Sequence, residues 1–150
     1  MLKILDSTET EIGAIAVNTY DTPLRANHNG KTGGTKDTLL YIKNEDLTLY
    51  YTNVLMSPVS STYDDLYSQW GETGFGLKLL YGERQPTETE WDQVSSGEAI
   101  SLPNIGTTVS ADVANLYPVW VRTICPGNSD AQIMTTIGIK ITCKTRQVGS

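Results

Sequence analysis

Apolar positions recur along this chain with a period of two, the spacing of strands that bury one face. Ile137, Ile139, Ile141 and Cys143 point one way, while Lys140, Thr142 and Lys144 point the other. Val119, Val121, Thr123 and Cys125 alternate with Trp120, Arg122 and Ile124. Phe75, Leu77, Leu79 and Tyr81 share a face opposite Lys78, and Leu47, Leu49 and Tyr51 share another. These patterns predict strands over 38–44, 47–56, 75–81, 118–125 and 137–144, with shorter ones at 12–17 and 99–102. Pro58, Gly71–Gly74, Gly97, Pro103 and Pro126–Asn128 supply turns between them. Short strands separated by turn signals read as an all-β sandwich or barrel.

Two segments depart from this period. In "PTETEWDQV", Thr87 followed by Glu90 makes a capping box, which predicts one helical turn. Trp91 then folds back onto the sheet as a plug. Glu88, Glu90 and Asp92 could instead form an acidic site, although acids in a first helical turn already have an electrostatic reason to be there. In 57–74, Tyr63, Tyr67 and Trp70 fall four and three residues apart, the face of a short helix. They either cap one end of the sandwich or form an aromatic contact patch.

The totals narrow the class. A chain of 150 residues fits one domain and buries roughly two-thirds of its unfolded surface without needing a metal or a disulfide. A net charge of −6 argues against a broad grip on nucleic acid or anionic lipid. No apolar run is long enough for a membrane span or a leader. The expectation is a protein made in a cytosol.

The stretch "NGKTGGTKD" ends in the Gly-Lys-Thr of a phosphate loop, but Arg25 stands where its first glycine belongs. Gly33 and Gly34 oppose the helix such a loop requires. A loop running into a strand is expected there, with no nucleotide and no other cofactor. His28 is the only histidine, in a polar segment with nothing nearby to orient it. Asp64 and Asp65 diverge whether on a strand or a helix. With no C-x-x-C and one histidine, no metal site is expected. No catalytic constellation emerges, and the chain reads as a non-enzyme.

Cys125 and Cys143 are expected as unpaired thiols. If 118–125 and 137–144 form a hairpin, the two sulfurs lie ~25 Å apart along it, beyond the ~7 Å Cα reach of a disulfide. Trp120 and Arg122 share the face opposite Val119 and Val121. They either stack on one another, a cation–π contact of ~0.5–1 kcal/mol, or face a partner.

The order of motifs carries a resemblance. "LLYIKNEDLTLYYTNVLMSP", "GLKLLYGERQPTETEWDQVSSGEAISLPNIG" and "YPVWVRTICPGNSDAQIMTTIGIKITC" together resemble small immunoglobulin-like β-sandwich proteins of tailed-bacteriophage virions. The resemblance runs from about Lys36 to Lys144. It implies an immunoglobulin-like antiparallel β-sandwich over 36–150 with an extended N-terminal arm over 1–35, whose removal should leave the sandwich folded. It further implies a non-enzymatic virion protein made in the bacterial host cytoplasm. The first reading is a capsid decoration or cement protein that bridges capsid subunits. The alternatives are a tail, collar or baseplate component, and a carbohydrate-binding module. Expected partners are the major capsid protein or other virion subunits, with the chain as a homo-oligomer or in multiple copies within a particle, and neither nucleic acid nor membrane. Candidate partner-binding residues are Arg25, His28, Lys31, Tyr63, Tyr67, Trp70, Trp120 and Arg122.

Overall fold

The computed structural model describes residues 2–14, 32–60, 76–125 and 137–149. They form an all-β body. Its strands are β1 (Leu2–Leu5), β2 (Glu11–Ala14), β3 (Gly34–Asn44), β4 (Leu49–Ser60), β5 (Gly76–Tyr81), β6 (Ile100–Ser101), β7 (Tyr117–Cys125) and β8 (Ile137–Gln147). A short helix, α1 (Glu88–Asp92), follows β5. A five-stranded antiparallel sheet has the order β2-β1-β3-β7-β5, and a three-stranded one the order β6-β4-β8.

The alternating faces end where the sequence places them. Leu40, Ile42, Leu77, Leu79, Val119 and Val121 from the larger sheet meet Tyr51, Val54, Met56, Leu102, Ile105 and Ile141 in one buried cluster. Burying each such aliphatic side chain is worth about 1.5–3 kcal/mol. Strand β4 keeps both ends on the core through a bulge between Thr52 and Leu55, where Asn53 adopts φ 51. The extra residue returns Val54 and Met56 to the inside. Leu47, expected on the core face, stands in the turn before β4 and is 72% exposed.

Every connection from β3 to β8 crosses from one sheet to the other. The expected hairpin of 118–125 with 137–144 therefore does not form. Strand β7 lies between β3 and β5, and β8 pairs with β4. Period two identifies which face of a strand is buried, but it carries no information on the neighbour. The two cysteines form no disulfide, for a different reason from the expected one: they sit in different sheets, Cys125 buried and Cys143 half-buried against the core. Burial also pushes the Cys143 thiol above its ordinary pKa. Native chain should react slowly with a thiol reagent, with both cysteines becoming reactive on unfolding. Detection of an intrachain disulfide in purified protein would contradict this separation.

The segment expected as an arm contributes to the sheet. Strand β1 pairs along β3 from Leu2 opposite Asn44 to Leu5 opposite Tyr41, and Leu2 is 1% exposed. Asp6 closes the turn to β2, its Oδ1 accepting from Thr8 N at 2.8 Å and Thr10 N at 3.0 Å. Removing 1–35 would strip a core side chain and two strands. The sequence signal for β1 is weak because four residues at the start of a chain are too few to establish a period. Gly34 opens β3 directly, so a strand and not a helix follows Gly30-Lys31-Thr32. That order is incompatible with a phosphate loop.

Candidate functional site

Two organised sites emerge: a charged clasp on the outer face of the larger sheet, and a set of fastened turns at one end of the body.

The clasp centres on Arg122. It alternates with Val121 on β7 and so points away from the core. Opposite it on β3 stands Asp37, and on β5 Lys78. Arg122 Nε donates to Asp37 Oδ1 at 2.7 Å and Nη2 to Oδ2 at 3.0 Å. Nη1 and Nη2 donate to the two Glu88 oxygens at 2.7 and 2.8 Å. Both carboxylates are thus gripped in the two-pronged geometry suited to guanidinium. The guanidinium also stacks 5.0 Å from the Trp91 ring centroid.

Helix α1 is placed by its own ends. Thr87 caps it, accepting from Glu90 N, and Glu90 reaches back to Thr87 N in the expected capping box. This orients Glu88 onto Arg122 and drops Trp91 to 0% exposure, as a plug. Lys78 Nζ donates to the Trp91 carbonyl at 3.0 Å. The Trp91 indole N–H lies close enough to Asp37 to help hold its pKa down, without a hydrogen bond of standard geometry.

The charges respond accordingly. Burial works against the Asp37 carboxylate, but hydrogen bonds from Arg122 and Gln85 outweigh it and hold its pKa below the ordinary value. The Arg122 hydrogen bonds likewise hold Glu88 below its ordinary value. Arg122, gripped by Glu88 and Asp37, is held above its own. Asp37 and Glu88 together balance the charges of Arg122 and Lys78 here.

The second site is the end of the body where β3 turns into β4. Asn44 is 0% exposed and fully satisfied. Its Nδ2 donates to Leu49 O at 2.8 Å and Ala111 O at 2.9 Å, and its Oδ1 accepts from Asp46 N at 2.9 Å. Asp46 Oδ1 in turn accepts from Thr48 N at 2.8 Å. The chain end ties this turn to a second one: Val148 N donates to Thr48 O and Gly149 N to Thr108 O. Gly106, at φ +89, lets the second turn lie flat. A Cβ there would stand 2.7 Å from Ser110 O and 2.8 Å from Tyr50 Cβ. Tyr117 Oη closes the far side by donating to Asp112. From these fastened turns Leu47 and Val109 project, 72% and 86% exposed.

The candidate residues from the sequence divide into two groups. Arg25, His28, Lys31, Tyr63, Tyr67 and Trp70 lie outside the described residues. Trp120 is half-buried on the outer face, and its indole N–H meets no hydrogen-bond acceptor among the described residues. The described cation–π contact of Arg122 is with Trp91, not the Trp120 stack the sequence suggested, and its side chain is 8% exposed. The reason is α1, whose position over β7 depends on tertiary packing. Glu88 and Glu90, weighed as an acidic site, are engaged by Arg122 and Arg84. Sequence reasoning missed Asn44, Leu47 and Val109. Asn44 is the last residue of β3, and nothing local in the sequence marks it as buried.

Among the described residues, no group of three or more His, Cys, Asp or Glu is placed to hold a metal. No helix among them is long and apolar enough to cross a membrane. Compared with known proteins, the chain matches no family model, no curated protein and no solved structure.

Proposed function

We propose that this chain is a non-enzymatic structural protein of a tailed-phage virion, acting as a capsid decoration or cement protein that bridges neighbouring subunits. The observation that carries the docking part of this reading is the fastened end of the body. Leu47 and Val109 are held outside on turns ordered by Asn44, Asp46 and the chain end. A large apolar side chain on a turn already locked in shape loses little further entropy on docking. The most elaborate polar cluster is engaged within the fold, with Arg122 gripped by Asp37 and Glu88, which supports a structural role. The virion assignment itself rests on the resemblance in motif order. For the finer fold, the proposal is an immunoglobulin-like sandwich in which sheet-to-sheet crossings replace the hairpins of that class.

Under this reading the partners are the major capsid protein or other virion subunits, and many copies act together. Multivalency then raises a modest per-site gain. The test is co-sedimentation of purified chain with purified phage shells lacking it, with tails as the control. Saturable binding to shells is expected, with at least a tenfold loss in the Leu47→Asp, Val109→Asp double variant, on the scale of interface hot spots. Binding to tails alone would move the protein to a tail, collar or baseplate role. Binding to neither particle sinks the virion reading.

A further inference from the structure

Among the described residues, strand β8 is an edge. It pairs with β4 along 137–147, and no described strand lies on its other side. The other long boundaries are at least partly covered. The far side of β4 is paired through β6, Leu102 and Ile105. On β5, Leu77 O accepts from Gly97 N. Strand β2 is only four residues long. Along 137–146 no described strand pairs with this side of β8, and such an edge is a template for a further strand.

The two faces of β8 specify what that strand would carry. On its outer face Lys140, Thr142, Lys144 and Arg146 succeed one another, all exposed. Ile137–Gln147 contains no acid, in a chain of net charge −6. None of the three cations forms an ion pair among the described residues, and Arg146 Nε reaches Thr52 Oγ1 at 3.4 Å. On the inner face Ile139 and Cys143 pack on the core but are only partly covered. Cross-strand neighbours stabilise by opposite charge outside and apolar contact inside, whereas like charges directly opposite repel. Two copies of β8 repel in any register that sets Lys140, Lys144 or Arg146 opposite one another, for example the antiparallel one centred on Thr142, which faces Lys140 with Lys144.

We infer that the β8 edge binds an extended acidic segment of a partner polypeptide, added as a strand that alternates acidic and apolar residues. Backbone hydrogen bonds would supply the grip and the alternating side chains the selectivity. The inference rests on the proposed structural role in that a partner chain exists, but not on the partner's being a capsid.

The test uses the full chain and labelled eight-residue peptides of alternating valine and glutamate, or valine and lysine, with oligothymidylate as a polyanion control. Binding is read by fluorescence anisotropy and by backbone amide exchange. The glutamate peptide should bind more weakly as salt rises, and should slow exchange within 139–146. Lys140→Glu, Lys144→Glu, Arg146→Glu together should weaken it roughly tenfold, three exposed pairs of typical strength. The triple variant should favour the lysine peptide instead. Four results overturn the inference: no binding of the glutamate peptide at millimolar concentration, binding without protection of β8, equal binding by the triple variant, or tighter binding of oligothymidylate. Shell co-sedimentation of the triple variant separates the two proposals. Wild-type binding to shells with an unaffected variant removes the edge from the interface and leaves the structural role. Failure of wild type on shells leaves the peptide result to stand alone.

Discussion

Arg122→Ala is expected to lose about 3–5 kcal/mol of folding stability, the usual cost of breaking a buried ion pair from one side. A domain of this size typically has 5–15 kcal/mol in total, so the variant should unfold at markedly lower urea. The reason is what remains behind. Asp37, 7% exposed, would keep a carboxylate in a site that water barely reaches. Trp91 would lose the cation against its ring, and α1 would lose its anchor through Glu88. Replacing both partners, Arg122→Met with Asp37→Leu, should recover most of the loss, because neither charge is then stranded. Glu88→Gln should cost far less, since the Glu88 side chain is 77% exposed and water replaces what it loses. An Arg122→Ala midpoint within error of wild type would show that the clasp is not what holds α1.

The same cluster sets an acid limit. Asp37 and Glu88 have folded pKa values below their ordinary 3.8 and 4.5. Between the lowered and ordinary values the unfolded chain binds more protons than the folded one, so stability rises with pH there. The contribution is complete above about pH 4.5 and drains away as acid takes the pH down through the folded values. Urea midpoints measured from neutral pH downward should fall in that window, and the Arg122→Met, Asp37→Leu variant should fall less.

Asn44→Ala is expected to cost about 3 kcal/mol, from three hydrogen bonds of ~1 kcal/mol each. Ala111 O loses this bond in a buried place, and Leu49 O and Asp46 N lose theirs in partly buried ones. The effect should be local before it is global. Amide exchange should quicken in 45–49 and 106–112, because Asn44 is the side chain that joins those two segments. If Leu47 and Val109 dock as proposed, this variant should also bind its particle more weakly at temperatures where it remains folded. Unchanged exchange in both segments would remove Asn44 from that role.

Much of this architecture is legible from residue order. Period two located β3, β4, β5, β7 and β8 and assigned their buried faces, because alternation is a consequence of strand geometry alone. Thr87 and Glu90 announced α1 through a cap that uses only neighbouring atoms, and Trp91 followed as its plug. The absence of a disulfide between the two cysteines was legible, although the supposed hairpin was the wrong reason. Strand β1 escaped notice because four residues hold too little pattern.

The same alternation is silent on which strand lies beside which, since every strand of one face type looks alike from along the chain. Neighbours are chosen by packing between distant segments. The clasp needs Asp37 and Arg122, 85 positions apart, brought into register by β3 and β7. Asn44 is buried because Ala111, 67 positions away, comes to rest above it. Likewise, β8 is an edge only because no described strand took the place beside it. Local chemistry wrote the strands, the turns and the helix cap. Long-range pairing, which closes only when both sheets share one core, decided which charges were hidden and which were left facing out.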